Sequence, residues 1–125
     1  MTVAPPARIW QRPDATLTPT LLADWATDAA DPLRVYVEGD RVEIRGTVTK
    51  PTNATAAQRD VAQLPASIDP GRSINTGLET RVFQNAQRAN CYFQVINNRV
   101  RIQGQRTNQP VNEAHVYITY HLGGF

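Results

Sequence analysis

The side chains able to do chemistry are few, and their spacing argues against catalysis. His115 and His121 are the two histidines of the chain. On what reads as one strand they stand about 20 Å apart, whereas ligands of a shared metal sit ~2 Å from the ion. They read as exposed strand residues. Glu38, Asp40 and Glu43 crowd one turn. A glycoside-cleaving pair needs carboxyls about 5–9.5 Å apart across a cleft. A hairpin tip is convex, and Glu38 already has Arg41 opposite it. Cys91 is the single cysteine, so neither a disulfide framework nor a cysteine metal site is expected. With no base beside it to activate it, it reads as a buried, inert thiol. The glycines fall in turns and at strand ends, not in a phosphate-binding loop. The expectation is a protein that is not an enzyme and uses no metal or cofactor.

Binding chemistry is better represented. Tyr36, Arg45, Tyr92, Gln94, Arg101, Gln103 and Tyr117 fall at outward positions of strand-like stretches. Phenol, guanidinium and amide groups offer directional hydrogen bonds and flat faces for stacking, which suit sugars or protein surfaces. Tyr36, Arg45, Tyr92, Gln94, Arg101 and Gln103 are the candidate surface-binding face. An ordinary solvated sheet face, or a face packed on another subunit, accounts for the same composition.

Two hairpins must position these groups. In Leu33 to Thr49, Val35 and Val37 alternate with polar residues, and Val42, Ile44, Gly46 and Val48 do so after the turn. Period-two alternation predicts one buried and one wet face. Gly39-Asp40 supplies a two-residue turn. Val37 then faces Val42, Val35 faces Ile44 and Leu33 faces Gly46, so all the apolar pairs share a face. Cys91 to Gly104 repeats the scheme around Asn97-Asn98, since asparagine tolerates the left-handed region. Val95 faces Val100, Phe93 faces Ile102 and Cys91 faces Gly104. Val37 to Gly46 aligns with Val95 to Gly104 position by position, by duplication or by convergence under the same constraints.

At 125 residues the chain is long enough for one domain with a real core. Its net charge of +2 comes from interleaved signs, which predicts neither nucleic-acid binding nor membrane insertion. Lys50 is the sole lysine. Met1 leads into TVAPPARIW with no apolar run of leader type, and no stretch approaches the ~20 apolar residues of a membrane span.

Residues 1–20 read as an extended, proline-punctuated arm, because Pro5, Pro6, Pro13 and Pro19 break any continuous ladder. Ile9, Trp10 and Arg12 in this arm are the candidate assembly residues, expected to dock on a neighbour. Thr18 to Ala30 supports two readings. One is a short helix with Thr18 as N-cap and Pro19 at the first position; the other is an extended segment with a turn near Asp24-Trp25. In either, Trp25 seals one end of the core. Pro51 to Arg59 reads as a polar loop, Asp60 to Leu64 as a strand stopped by Pro65, and Leu64 to Ser73 as a tight loop. Glu79 to Asn85 reads as a strand, Gly104 to Glu113 as a polar loop and Ala114 to Leu122 as the last strand. Seven or eight short strands with turn chemistry between them predict an all-β antiparallel sandwich or jelly-roll-like domain over 21–125.

Several of these stretches together carry a resemblance. They are Leu21-Leu22-Ala23-Asp24-Trp25, Val37 to Gly46, Leu64-Pro65 through Pro70, Asn97 to Ile102 and Val116 to Leu122. In that order they resemble the small β-sandwich domains at the ends of bacteriophage tail fibres and receptor-binding proteins, over about four fifths of the chain. The resemblance implies a virion protein displayed outside the particle, commonly a homotrimer, made in the host cytoplasm. Its partners would be other virion proteins and a host cell-surface glycan. Trp25 and the Gly39-Asp40 turn would be framework residues, and the family offers no catalytic residue to carry over. Two departures stand out: a proline-rich arm replaces the fibrous shaft, and Asp24 stands where glycine is usual. The alternatives are a capsid decoration protein or head fibre of the same fold and, from another class, a soluble carbohydrate-binding module.

Overall fold

The two hairpins form in the expected register. The computed structural model describes residues 15–22, 25–54, 60–77, 79–84, 87–103 and 111–122. Strands β4 (Arg34–Glu38) and β5 (Arg41–Ala54) pair Glu38 with Arg41, Val37 with Val42 and Val35 with Ile44. Strands β9 (Gln87–Ile96) and β10 (Arg99–Gln103) pair Val95 with Val100 and Phe93 with Ile102. The two turns are solved differently. Gly39 alone has positive φ in the first (+59°), whereas both Asn97 (51°) and Asn98 (57°) do in the second. These are the backbone requirements of the type II′ and type I′ turns that match strand twist. The partner expected for Cys91, Gly104, lies outside the described residues.

Around the hairpins the chain builds two antiparallel sheets packed face to face. The further strands are β1 (Ala15–Leu17), β2 (Thr20–Leu21), β3 (Ala26–Thr27), β6 (Asp60–Gln63), β7 (Ile74–Asn75), β8 (Glu79–Gln84) and β11 (Val111–His121). Hydrogen-bonded neighbours run β1-β4-β5-β11-β8-β9-β10-β6-β2, with β3 also on β5 and β7 also on β9. Strand β9 belongs to both sheets, pairing first with β8 and then with β10. The two ends of this path, β1 and β2, are consecutive in the chain. One short segment around buried Pro19 therefore covers an edge of each sheet, which protects edges that would otherwise pair with other chains. Between the sheets lie Phe93, Leu33, Ile44, Ile102, Ile118 and Val42, each less than 2% exposed. Trp25 is 4% exposed at the border of this core.

Several sequence expectations need correction. Of the two readings open for Thr18 to Ala30, the described residues take the extended one, since β2 and β3 pair with β6 and β5. A short isolated helix is marginal, and ladder bonds plus burial of Trp25 outweigh it. Strand β5 continues through Pro51 to Ala54, where the composition predicts a loop. Its register on β11 jumps from Thr49↔Glu113 to Ala54↔Val111, so Pro51 sits in a bulge, where it need not donate to a ladder. Strand β11 begins at Val111, inside the expected loop, and β9 begins at Gln87. The short β1, β2, β3 and β7 raise the strand count above the seven or eight expected. Of the arm, Ala15–Leu17 and Thr20 are paired strand residues; Ile9, Trp10 and Arg12 lie outside the described residues.

Candidate functional site

The six candidate binding residues divide between the two sheets. Tyr36 and Arg45 lie on the outer face of the first, with the Arg45 guanidinium 4.5 Å from the Tyr36 ring centroid. Glu43 lies opposite Tyr36 in the ladder and takes Arg41 at 3.2 Å, Arg45 at 3.4 Å and the Tyr117 hydroxyl at 3.3 Å. Tyr92, Gln94, Arg101 and Gln103 belong to β9 and β10 of the second sheet. There Gln103 Nε2 donates to Gln94 Oε1 (3.1 Å), Gln94 Nε2 donates to Asn75 Oδ1 (2.8 Å) and Arg101 Nε donates to Asp60 Oδ1 (2.7 Å). Partial burial pushes the Asp60 carboxyl up, but the hydrogen bonds and charges of Arg101 and Arg99 outweigh it and hold it below its ordinary value. The core separates the two groups, and each is largely saturated by its own contacts.

What the fold does bring together is one end of the sandwich. The two hairpin tips converge there with the loop Leu64 to Ser73. Asn98 holds that loop: its Nδ2 donates to Leu64 O (3.0 Å) and Pro65 O (3.1 Å), and its own carbonyl accepts from Leu64 N (2.9 Å). Tyr120 on β11 donates its hydroxyl to Ile68 O at 2.7 Å. Burial, then the charge of Asp69, pushes this phenol well above its usual range, against the smaller opposing effect of Arg72. Arg72 Nη2 donates to His121 O (2.9 Å), and Leu122 N donates to Asp40 O (2.7 Å). His121 Nδ1 stands 3.5 Å from Asp40 Oδ1.

These ties leave an open cleft of about 270 Å³ lined by Asp69, Gly71, Arg72, Ser73, Ile96 and Asn97. Carboxylate, guanidinium, hydroxyl and amide surround one aliphatic wall. The set offers both donors and acceptors and suits a small polyhydroxylated or mixed-charge group. The wider constellation joins loop residues far apart in the chain, and nothing in their sequence signals it beyond the turn chemistry of each piece.

A second cluster has the outline of a catalytic chain. Thr47 Oγ1 lies 3.0 Å from His115 Nδ1, and His115 Nε2 lies 2.8 Å from Glu113 Oε2. A hydroxyl, an imidazole and an orienting carboxylate are the parts of nucleophilic catalysis. However, the Thr47 hydroxyl donates its one proton to Asp31 Oδ2 at 2.8 Å, and Thr47 is 3% exposed. A nucleophile must give its proton to the base and face the substrate, and this one does neither. The cluster instead ties the turn at Asp28–Asp31 to β5 and β11, alongside Asp28 N→Thr47 O and Thr47 N→Asp31 O. Among the described residues no group of three or more His, Cys, Asp or Glu could hold a metal. Among them, too, no helix is long and apolar enough to cross a membrane.

No protein-family model matches the chain, and no curated protein or solved structure matches it significantly.

Proposed function

We propose that the chain is a non-enzymatic structural protein of a bacteriophage particle, of the tail-fibre or receptor-binding type, displayed on the exterior. The observation that carries this reading is the polar cleft at one end of the sandwich, built where the loop with Asp69 to Ser73 meets the turn between β9 and β10, on a scaffold whose edges are closed by the short strands β1 and β2. Loops held by a rigid sheet framework are where binding groups concentrate. The resemblance in Leu21 to Trp25 and in the two hairpins supports the same reading, because it implies framework roles for Trp25, which is buried, and for the Gly39-Asp40 turn, which closes the first hairpin. In this reading the cleft contacts a host-surface glycan. The segment with Ile9, Trp10 and Arg12 anchors the domain to other virion proteins, and three copies assemble.

The test has two arms. Purified particles are probed with an antibody against the chain, and labelled protein is titrated onto host cells and glycan arrays beside a Ser73→Trp variant. Ser73 is exposed on the cleft wall, so the substitution fills the cleft and leaves the core alone. Labelled particles and cell binding lost in Ser73→Trp are expected. Absence from particles would sink the virion reading, and undiminished binding by Ser73→Trp would move attachment away from the cleft.

A further inference from the structure

Arg72 carries a charge that no described carboxylate neutralises. Among the described residues, the arginines in ion pairs are Arg41, Arg45, Arg99 and Arg101. Arg72 instead donates Nη1 to Pro70 O at 3.3 Å and Nη2 to His121 O at 2.9 Å. Neutral carbonyls from its own loop and from β11 thus hold the guanidinium in place without cancelling its charge. A guanidinium has five N–H donors and stays protonated in proteins, so three donors and the whole charge remain for a ligand. Arg72 stands on the wall of the cleft of about 270 Å³. Beside it Gly71 has no side chain to close the cleft, and nothing lies within 4 Å of where a Cβ would be.

The rest of the lining is of another kind. Asp69 is exposed, and the described carboxylates in ion pairs are Glu43, Asp60, Glu113 and Asp40, not Asp69. Its Oδ1 accepts from Gly71 N at 2.9 Å, which leaves Oδ2 to accept from a ligand hydroxyl. The Ser73 hydroxyl and the Asn97 amide add both donors and acceptors, and Ile96 supplies the apolar wall. Small-molecule sites run from about 300 to 1,000 Å³. This cleft is at the low end of that range, which fits a single ring rather than an extended chain.

We infer that the cleft takes one acidic sugar residue, of the uronic or sialic acid kind, whose single carboxylate binds the Arg72 guanidinium. The inference rests on the reading of the cleft as a glycan site and names the class of glycan. A carboxylate on a guanidinium makes charge-assisted hydrogen bonds, about twice as strong as neutral ones. The ring hydroxyls donate to Asp69 Oδ2 and exchange hydrogen bonds with Ser73 and Asn97, while the C–H face of the ring lies on Ile96. A neutral sugar would cover the guanidinium and leave its charge uncompensated. A doubly charged phosphate or sulfate cluster would be repelled by the Asp69 carboxylate in the same cleft. An ammonium ligand would meet Asp69 but be repelled by Arg72. One carboxylate on a polyhydroxylated ring matches the charges and the hydrogen-bonding groups together.

The test is a titration of the full chain followed by the amide resonances of Gly71, Ser73 and Asn97. The probes are the methyl glycosides of glucuronic, galacturonic and N-acetylneuraminic acid, the carboxamide of each, and methyl glucoside and galactoside. At least one acid is expected to shift the three amides, and its carboxamide to bind about tenfold to a hundredfold more weakly. This comparison uses the unmutated chain and depends on no variant folding. Arg72→Gln removes the charge, and in it the acid and its carboxamide are expected to bind alike. Equal binding of acid and carboxamide to the unmutated chain, or shifts with the neutral glycosides alone, overturns the inference while the cleft remains a glycan site. Three amides that respond to no probe overturn the inference and the glycan reading of the cleft together. An acid preference that persists in Arg72→Gln overturns Arg72 as the carboxylate anchor.

Discussion

Replacing Gly46 by alanine should be the most damaging one-atom change in the protein. Gly46 has φ +142°, a region that side chains rarely adopt, and a Cβ built on it would meet Leu33 Cα at 2.5 Å, Pro32 O at 2.5 Å and Leu33 N at 2.6 Å. All three are backbone atoms, so no rotamer change relieves the clash. The chain at Pro32–Leu33 would have to lift from β5 by about 1 Å to restore ordinary contact, dragging Leu33, which is fully buried. Backbone strain of about 1–3 kcal/mol and overpacking of about 1–3 kcal/mol combine to roughly 3–5 kcal/mol. That is a large share of the ~5–15 kcal/mol holding a typical domain together. At roughly 4 °C per kcal/mol for a chain of this size, melting should fall by about 12–20 °C. Urea titration read by tryptophan fluorescence measures the change, with an unaltered slope showing that the unfolded state is the same. Two other glycines are internal controls. A Cβ added to Gly77 would have nothing within 4 Å of it, and its φ is not positive, so Gly77→Ala should stay within about 0.5 kcal/mol of wild type. Gly39 has open space but φ +59°, and Gly39→Ala should cost only the left-handed penalty of about 1–2 kcal/mol. A Gly46→Ala protein within about 1 kcal/mol of wild type, well below the combined strain and overpacking cost, would refute the close approach of Leu33. With it would go the argument that β5 needs a glycine there.

Three further outcomes are expected. Val42→Asp places an unpaired charge where exposure is 0%, at a cost of several kcal/mol; circular dichroism should show an unfolded chain, and a normally folded one would contradict the hairpin register. Asn98→Gly keeps the left-handed turn but removes the two hydrogen bonds to Leu64 O and Pro65 O, costing about 1–3 kcal/mol and raising amide exchange in Leu64 to Ile68; unchanged exchange would show that the loop is held otherwise. Asp60→Asn removes the negative charge and one of the two acceptor oxygens that take Arg99 and Arg101 and should cost about 1 kcal/mol at pH 7. The folded Asp60 carboxyl titrates below its unfolded value. Its contribution is therefore present above the unfolded value near pH 4 and disappears as pH falls through the folded one. The gap between Asp60→Asn and wild type should narrow as pH falls below the unfolded value and close once the folded carboxyl is protonated, and a gap independent of pH would rule out the ion pairs as its source.

Alternation and turn chemistry are local properties, and what depends on them is legible in the sequence alone. The apolar positions of Leu33 to Thr49 permit one register about Gly39-Asp40, since a one-residue slip would expose Ile44, and that register is found. The same holds about Asn97-Asn98, and the all-β sandwich follows from such units repeated along the chain. Thr18 to Ala30 is ambiguous as sequence because helical spacing and strand pairing compete there, and only β6 and β5, distant in sequence, decide between them. Pro51 suggests a loop because a bulge needs a partner strand to define it, and that partner, Val111–His121, comes last in the chain. Outward parity identifies Tyr36 and Gln94 as surface positions but does not tell one outer face from another, because which sheet a strand joins is a long-range choice. The convergence of Asp69, Arg72 and Asn97 on one cleft, the diversion of the Thr47 proton to Asp31, and the burial of Lys50 against Trp25 are likewise tertiary facts. A side chain's chemistry is set by its own atoms, but its use depends on neighbours that the period-two pattern does not specify.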